Sequence, residues 1–232
     1  MKRLVVFGAI AGLAAAGAVG GLAGEVGAAA APRVRVMVVG KTQTLLAGKT
    51  VTARRRTVTV GRRRCTVAAG TGLAGLDAAR RAGGPAYRLR DYGTCSRRAA
   101  DAASLFVFEV GRDRNRGRDG WVYKIGHSVP SAGAGDPNGR RLSSGDDLTW
   151  FYCRMQRSGG CQRTLELIIP LRSAPGQTMR ALVRSHDDDG RDAAAVGVTV
   201  ALGAATGVTG ADGSVMLTAP GVAGRYAAQA QR

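Results

Sequence analysis

The segment Gly145-Asp146-Asp147-Leu148-Thr149-Trp150-Phe151-Tyr152 indicates most clearly how this chain folds. It opens with a Gly-Asp turn and continues as apolar, β-branched and aromatic residues, which favour a β-strand. Because side chains alternate across a strand, Trp150 and Tyr152 point to the same face. A second aromatic strand, Gly120-Trp121-Val122-Tyr123-Lys124-Ile125, repeats this pattern, so the sequence predicts a β-rich fold.

Further strand-like runs lie on both sides of these two segments. Strands are predicted at residues 34–39, 57–60, 87–90 and 105–110, and again at 165–169, 179–183, 196–200, 215–217 and 226–228. Turns are predicted at Gly40-Lys41, at Gly48-Lys49 and at residues 211–214. Apolar residues at three- and four-residue spacing predict one short amphipathic helix over residues 72–82, which ends at Gly83-Gly84-Pro85.

The composition changes after Cys161, where cysteine disappears and aromatic residues become rare. Residues 31–163 are therefore predicted to form an α+β domain, a sheet with one short helix. Residues 164–232, with short alternating strands, are predicted to form a small Ig-like β-sandwich. The fold class expected from the sequence is thus β-rich, with two domains.

Residues 1–30 have the composition of a signal peptide. Met1-Lys2-Arg3 precedes a long run of small and apolar residues, and small residues near Ala30 suit a signal peptidase. The alternative is an uncleaved N-terminal anchor, because the apolar run is about long enough to span a bilayer. No later segment is apolar enough to span one, so we expect a secreted or cell-surface protein without a membrane span after cleavage.

The four cysteines, an even number, predict disulfide bonds in an oxidising compartment. Cys153 and Cys161 bracket a polar turn that contains Gly159-Gly160, which favours their pairing, and Cys65 would then pair with Cys95. The two bridges would close loops of about nine and about 31 residues. The chain-entropy relation converts these lengths to roughly 2.6 and 3.7 kcal/mol.

A zinc site is the alternative role for these cysteines. Their spacing contains no paired CxxC, and the two histidines, His127 and His186, fall in different segments, so the sequence predicts no metal ligands. Residues 113–119 alternate oxygen ligands with arginine and lack a closing glutamate, which favours a solvated turn over a calcium loop. Residues 186–190 could hold a cation weakly, but they are interpreted as an exposed interdomain loop.

The sequence shows no pattern typical of an enzyme. The sequence contains no Gly-x-Ser-x-Gly motif, no Walker loop, no dinucleotide-binding loop and no combination of nucleophile and histidine base. We therefore predict a protein with no catalytic residues and no cofactor.

The chain carries a formal charge of +18, and removing Lys2, Arg3 and Glu25 leaves about +17. Most of the charge is arginine, including two runs, Arg54-Arg55-Arg56 and Arg62-Arg63-Arg64, that flank a predicted strand. A GC-rich genome would produce this composition without any selection for binding. The alternative is docking on an anionic polymer, while export and the lack of a nucleic-acid-binding motif argue against a specific nucleic-acid partner.

The two aromatic strands and the Asp136-Pro137-Asn138-Gly139 loop between them resemble the DUF4430 family, which is related to the C-terminal β-domain of transcobalamin. That family has a Gly-Trp-x-Tyr strand followed by a Gly-Asp-x-x-x-Trp-x-Tyr strand, and the predicted helix matches its helical part. The chain has no room for the large helical domain of transcobalamin, so cobalamin binding does not carry over. The C-terminal segment resembles the Ig-like or carboxypeptidase-regulatory-like modules of bacterial surface proteins, which implies spacing or adhesion.

The aromatic pairs Trp121/Tyr123 and Trp150/Tyr152 have two interpretations. They either pack across strands in the core, which we favour, or form an exposed platform for a small ligand. The sequence as a whole predicts a non-enzymatic secreted or cell-surface binding or adhesion protein. The alternative is a structural envelope protein held on polyanions by its charge, and a hydrolase acting on envelope polymer is the third hypothesis.

Overall fold

A computed structural model of the chain describes residues 30–232, so the predicted signal peptide lies almost entirely outside the described residues. Ala31–Arg232 forms one compact unit. Within the described part the chain has sixteen strands and a single α-helix, which confirms the predicted β-rich fold. No helix within residues 30–232 has both the length and the apolar character to cross a membrane.

The strands and helices follow one another in a simple order along the chain. Up to Cys153 they are β1 (Arg33–Val39), β2 (Thr44–Thr52), β3 (Arg56–Val60), β4 (Arg63–Val67), α1 (Gly72–Arg81), β5 (Tyr87–Asp91), a 3-10 helix (Ala99–Ser104), β6 (Leu105–Val110), β7 (Asp113–Arg114), β8 (Gly120–Ile125) and β9 (Asp147–Cys153). After Cys153 they are β10 (Thr164–Ile168), β11 (Thr178–His186), β12 (Asp192–Ala194), β13 (Thr199–Leu202), β14 (Ala205–Val208), β15 (Ser214–Thr218) and β16 (Ala228–Gln231).

The first hydrophobic core is formed by side chains from the segment of residues 34–152. Its main sheet has the strand order β2-β1-β9-β8, in which β1 and β9 are parallel and the other pairs antiparallel. Val34, Val36 and Val38 are buried at every second position of β1, as expected for a strand with one face on the core. The hairpin β3-β4, the sheet β5-β6-β7 and helix α1 complete this half of the protein.

Helix α1 is closely tied to the main sheet. It begins after Thr71, whose Oγ1 accepts a hydrogen bond from the Ala74 backbone N–H at 3.2 Å. A Cβ at Gly72 would lie 2.7 Å from Cε2 of Tyr123, so only glycine allows this close approach to β8. The chain leaves the helix through Gly83, whose φ is +91°, in the left-handed region where glycine is favoured.

A second hydrophobic core is formed by buried side chains from the segment of residues 179–219. Two small sheets contribute to it, one in which β11 pairs with β10, β12 and β15, and one with the order β14-β13-β16. Ala181 and Val183 of β11 and Val200 of β13 are fully buried there. The domain boundary after residue 163 and the Ig-like assignment remain predictions.

Several local predictions were wrong. Gly48-Lys49 is not a turn but lies inside β2, where the pairing with β1 shifts register. The predicted strand at 196–200 starts only at Thr199, and the last strand starts at Ala228 rather than at residue 226. Strand β4 was missed because its two arginines, Arg63 and Arg64, masked the alternation of the short run around Cys65.

The predicted disulfide pairing is confirmed. Cys65 is bonded to Cys95 and Cys153 to Cys161, with sequence separations of 30 and 8 residues. No cysteine is left free in the described residues. Two disulfides are consistent with an extracytoplasmic location, where the bonds persist.

Candidate functional site

The four aromatic side chains considered as a ligand platform lie in the first core. Trp121, Tyr123, Trp150 and Tyr152 are 4%, 7%, 1% and 4% exposed. They pack in two cross-strand pairs, since Trp121 meets Tyr152 edge-on at 5.8 Å between ring centroids and Tyr123 stacks on Trp150 at 5.1 Å. Burial also raises the pKa of Tyr123 to about 12. A platform would need exposed faces that these rings do not have here, and the core interpretation fits the geometry.

The two arginine runs lie around the hairpin β3-β4. Gly61, with a φ of +60°, makes the turn next to Arg62, and Arg54, Arg55, Arg62 and Arg64 are all exposed. Of the remaining two members, Arg63 contacts Asp91 at 3.2 Å and Arg56 is half-buried. The two runs therefore form a dense positive edge, with only one of their six arginines ion-paired to a carboxylate within residues 30–232.

A second basic surface lies on the outer face of the sheet β5-β6-β7. Leu105 and Val107 of β6 are buried, so Phe106 and Phe108 alternate with them and point outward. Arg90 of β5 lies directly opposite Phe106, and its guanidinium is 5.4 Å from the ring centroid of Phe108. This alternation places aromatic and cationic side chains side by side.

These side chains line a groove of about 470 Å³ that ends against the start of β8. The arginine-aromatic groove, as we name it, is defined by Arg90, Tyr92, Phe106, Phe108, Arg114 and Arg118. Arg114 stacks over Phe108 at 5.2 Å, and Tyr92, which is 68% exposed, meets Phe106 edge-on at 5.8 Å. Aromatic faces hold the guanidinium groups by cation–π attraction and leave most of their N–H donors free for an anion, although Arg90 Nη1 also donates a hydrogen bond to the Tyr92 hydroxyl at 3.4 Å.

The groove is only partly neutralised by carboxylates. Glu109 lies 3.9 Å from Arg114, at the edge of ion-pair distance, and also contacts Arg88. Asp119 lines the groove too, but its Oδ1 accepts a hydrogen bond from the Met155 backbone N–H. No carboxylate of the described residues lies within 4 Å of Arg90 or Arg118.

Sequence reasoning missed this groove. The sequence predicts strands at residues 87–90 and 105–110, but it does not show that these strands pair and bring Arg90 opposite Phe106. The signal was the alternation within β6, where two phenylalanines occupy the face opposite Leu105 and Val107. A single exposed phenylalanine would carry no information, but Phe106 and Tyr92 are both exposed and in contact, and contiguous exposed rings are typical of a contact surface.

A buried lysine joins the two halves of the chain. Lys124 of β8 is 1% exposed, and its Nζ donates hydrogen bonds to Thr164 Oγ1 at 3.0 Å, to the His186 carbonyl at 3.1 Å and to the Asp187 carbonyl at 2.7 Å. Burial lowers the pKa of Lys124 below its usual value. These three bonds tie β8 to the strands of the second core.

We expect Lys124→Met to lower the free energy of unfolding by roughly 2 kcal/mol, because buried acceptors lose their donor. Since the folded state lowers the Lys124 pKa, the unfolded chain binds more protons at this residue at mildly alkaline pH. The stability of the wild type relative to the variant should therefore increase as the pH rises toward 10.5, the ordinary pKa of lysine. Urea unfolding of both proteins across pH measures this, with Lys49→Met as control, since Lys49 is exposed and its Nζ donates only one hydrogen bond within the described part of the chain, to the Ala82 carbonyl. An equal loss in the control would contradict the assignment.

The structure also corrects the interpretation of the two histidines. The sequence separates them and predicts an exposed loop at residues 186–190, but His186 is the last residue of β11 and is 5% exposed. The two rings stack with their centroids 3.7 Å apart, beside Glu166. The reason for predicting no metal ligands therefore does not hold.

Comparison with known proteins adds no relative. No protein-family model, no curated protein and no solved structure matches the chain. The resemblances to the DUF4430 family and to Ig-like modules therefore remain predictions from the motifs.

Proposed function

We propose that this chain is a non-enzymatic, exported binding protein that docks on an anionic polymer of the cell envelope. The observation that carries the proposal is the arginine-aromatic groove, in which Arg90 and Arg114 stack on Phe108 while Arg118 and Tyr92 remain exposed. A guanidinium held on a ring is oriented before it meets its ligand, so less conformational entropy is lost on binding.

The chemistry of the groove favours a ligand with both an anionic and a flat or apolar part. The guanidinium groups would donate paired hydrogen bonds to phosphate, sulfate or carboxylate oxygens. The exposed rings of Tyr92 and Phe106 would contact the polymer backbone between its charges. The volume of about 470 Å³ lies in the usual range of ligand pockets, which suits a short section of chain.

The net charge and the disulfides support the same proposal. A charge near +17 on the exported part attracts any polyanion over a distance of about the Debye length. The exposed arginines of the hairpin β3-β4 would add weak contacts outside the groove. Two disulfides suit an exported protein, and export by residues 1–30 is part of the proposal.

Binding of purified residues 31–232 to dextran sulfate and to isolated envelope material, over a salt series, tests this function. We expect binding to be lost by about 0.5 M salt, where screening is nearly complete within a few ångströms. The double variant Arg90→Gln/Arg118→Gln should bind about tenfold more weakly at about 0.15 M salt, which corresponds to two contacts of roughly 0.7 kcal/mol each.

The matched control is Arg157→Gln/Arg225→Gln, which removes the same charge from two exposed positions outside the groove. It should weaken binding by no more than about twofold if the groove is the site. Equal losses in both double variants would instead support the structural alternative, retention by diffuse charge. Release of soluble product from the envelope material would contradict the non-enzymatic assignment.

A further inference from the structure

The only two histidines of the chain lie in contact with each other. His127 follows β8 and His186 ends β11, yet their rings stack 3.7 Å apart with an interplanar angle of 11°. Glu166 lies beside both, with Oε2 at 3.0 Å from His186 Nε2 and 3.8 Å from His127 Nε2. Three metal-ligating side chains from three separate elements therefore meet at one point.

The backbone positions two of these side chains firmly. In the β10-β11 pair Thr164 is opposite His186, and Glu166, two residues farther along, occupies the same face as Thr164. Glu166 and His186 are thus diagonal neighbours across the strands. His186 is 7% exposed at its side chain, and its Nδ1 lies 3.5 Å from the Gly190 carbonyl. The 3.0 Å contact of Nε2 with the Glu166 carboxylate, which can only accept, places a proton on Nε2 that a metal ion would displace, after which the Gly190 carbonyl can accept a hydrogen bond from Nδ1–H.

The third side chain lies on a turn and is more exposed. His127 follows Gly126, whose φ is +60°, and its side chain is 48% exposed. The lone pair of an imidazole lies in the plane of its ring, so two parallel rings cannot both point at one ion. Binding therefore requires a tilt of His127 about its own side-chain torsions, which its exposure permits. The strand pairing already positions His186 and Glu166, and His127 would rotate toward the ion to bind it.

The distances fit a transition-metal ion. Zinc bonds of about 2.0–2.1 Å in tetrahedral geometry place neighbouring ligand atoms roughly 3.3 Å apart. The two distances to Glu166, 3.0 and 3.8 Å, lie on either side of that value. All three ligand atoms lie within 4.8 Å of one another, so a small rotation of His127 completes the site.

The ligand set also selects the kind of ion. Calcium and magnesium prefer six or more oxygen ligands, and this site offers only one carboxylate. Two imidazoles with one carboxylate suit Zn²⁺ and its first-row neighbours, with one position left for water or another ligand. All four cysteines are bound in disulfides and do not compete. We propose that His127, Glu166 and His186 bind one divalent transition-metal ion, Zn²⁺.

Such an ion would join the two halves of the chain. It would link the turn after β8 to the β10-β11 pair. The site lies next to the hydrogen bonds that Lys124 donates to Thr164 and to the His186 carbonyl. Because the ion binds the folded protein, its binding energy adds to the free energy of unfolding. The melting temperature should therefore rise with the Zn²⁺ concentration.

Equilibrium dialysis and calorimetry with Zn²⁺ test the site directly on purified residues 31–232 that carry no histidine tag. We expect one Zn²⁺ per chain and a rise in melting temperature. His127→Ala and Glu166→Gln change exposed or half-exposed side chains, so both should fold. Each should weaken Zn²⁺ binding by more than about tenfold. A loss of about tenfold is the smallest usual effect of removing a residue that only hydrogen-bonds to a metal ligand, and these residues would bind the ion directly. His186→Ala, which changes a buried side chain, is a third variant.

The control is Asp189→Asn, which removes a carboxylate that is 71% exposed in the turn next to His186. Zn²⁺ affinity should stay within about twofold of the wild type. Co²⁺ provides a second readout, since its visible absorption intensifies when the ion enters a site of low coordination number. Absence of Zn²⁺ binding, or binding unchanged in both His127→Ala and Glu166→Gln, would overturn the proposal. Loss of binding in Asp189→Asn alone would place any ion in the acidic turn and would also overturn it.

Discussion

Trp150→Ala is expected to lower the free energy of unfolding by about 3–5 kcal/mol, as for other large-to-small changes of buried aromatic residues. Trp150 is 1% exposed, stacks on Tyr123 of β8 and lies opposite Val38 of β1. Its Nε1 donates a hydrogen bond to the Gly72 carbonyl at 3.3 Å, at the start of α1. The variant would leave a cavity where two strands and the helix meet, at a cost that is a large share of a domain's usual stability.

Urea unfolding followed by circular dichroism measures this loss, and Tyr92→Ala is the matched control. Tyr92 is also aromatic but 68% exposed in the arginine-aromatic groove, so its loss should change stability by no more than about 0.5 kcal/mol. The same two variants separate the core from the binding surface, because Tyr92→Ala should weaken polymer binding in a folded protein. A folded, stable Trp150→Ala protein that no longer binds its ligand would instead support the aromatic platform.

The double variant Cys65→Ala/Cys95→Ala is expected to lose about 3.7 kcal/mol of stability. The bridge closes a sequence separation of 30 residues that contains helix α1 and strand β5. Without it the unfolded chain has many more conformations, and the hairpin β3-β4 loses its covalent link to the segment after β5. Both cysteines are buried, at 0% and 5% exposure, so alanine adds no polar group to the core.

Comparison with Cys153→Ala/Cys161→Ala tests the origin of this effect. That bridge closes a separation of only 8 residues, and its loss should cost about 2.6 kcal/mol. Urea midpoints and slopes are measured for both double variants and for the wild type with and without reductant. They give the order of the two stability losses. A larger loss for the shorter loop would contradict the entropic explanation and indicate that local packing around Cys153 dominates.

Much of the fold followed from local patterns in the sequence. The alternation in residues 148–152 and 105–110 predicted β9 and β6, and three- and four-residue spacing followed by glycines predicted α1. The even cysteine count and the Gly159-Gly160 turn predicted the disulfide pairing, which the structure confirms. These features were accessible because each depends on residues that are near one another along the chain, where side-chain periodicity and turn preferences act directly.

The candidate sites depended on contacts between distant segments. The arginine-aromatic groove required the pairing of β5 with β6, which puts Arg90 opposite Phe106. The meeting of His127 with His186 required the strands of the second core to lie against β8, where the buried Lys124 joins them. The sequence by itself therefore determined the strand-rich character, the helix and the cross-links, because these depend on local periodicity and spacing. Strand pairing and packing decided which charged, aromatic and imidazole side chains came together, because burial of the two cores selects long-range contacts that no local pattern encodes.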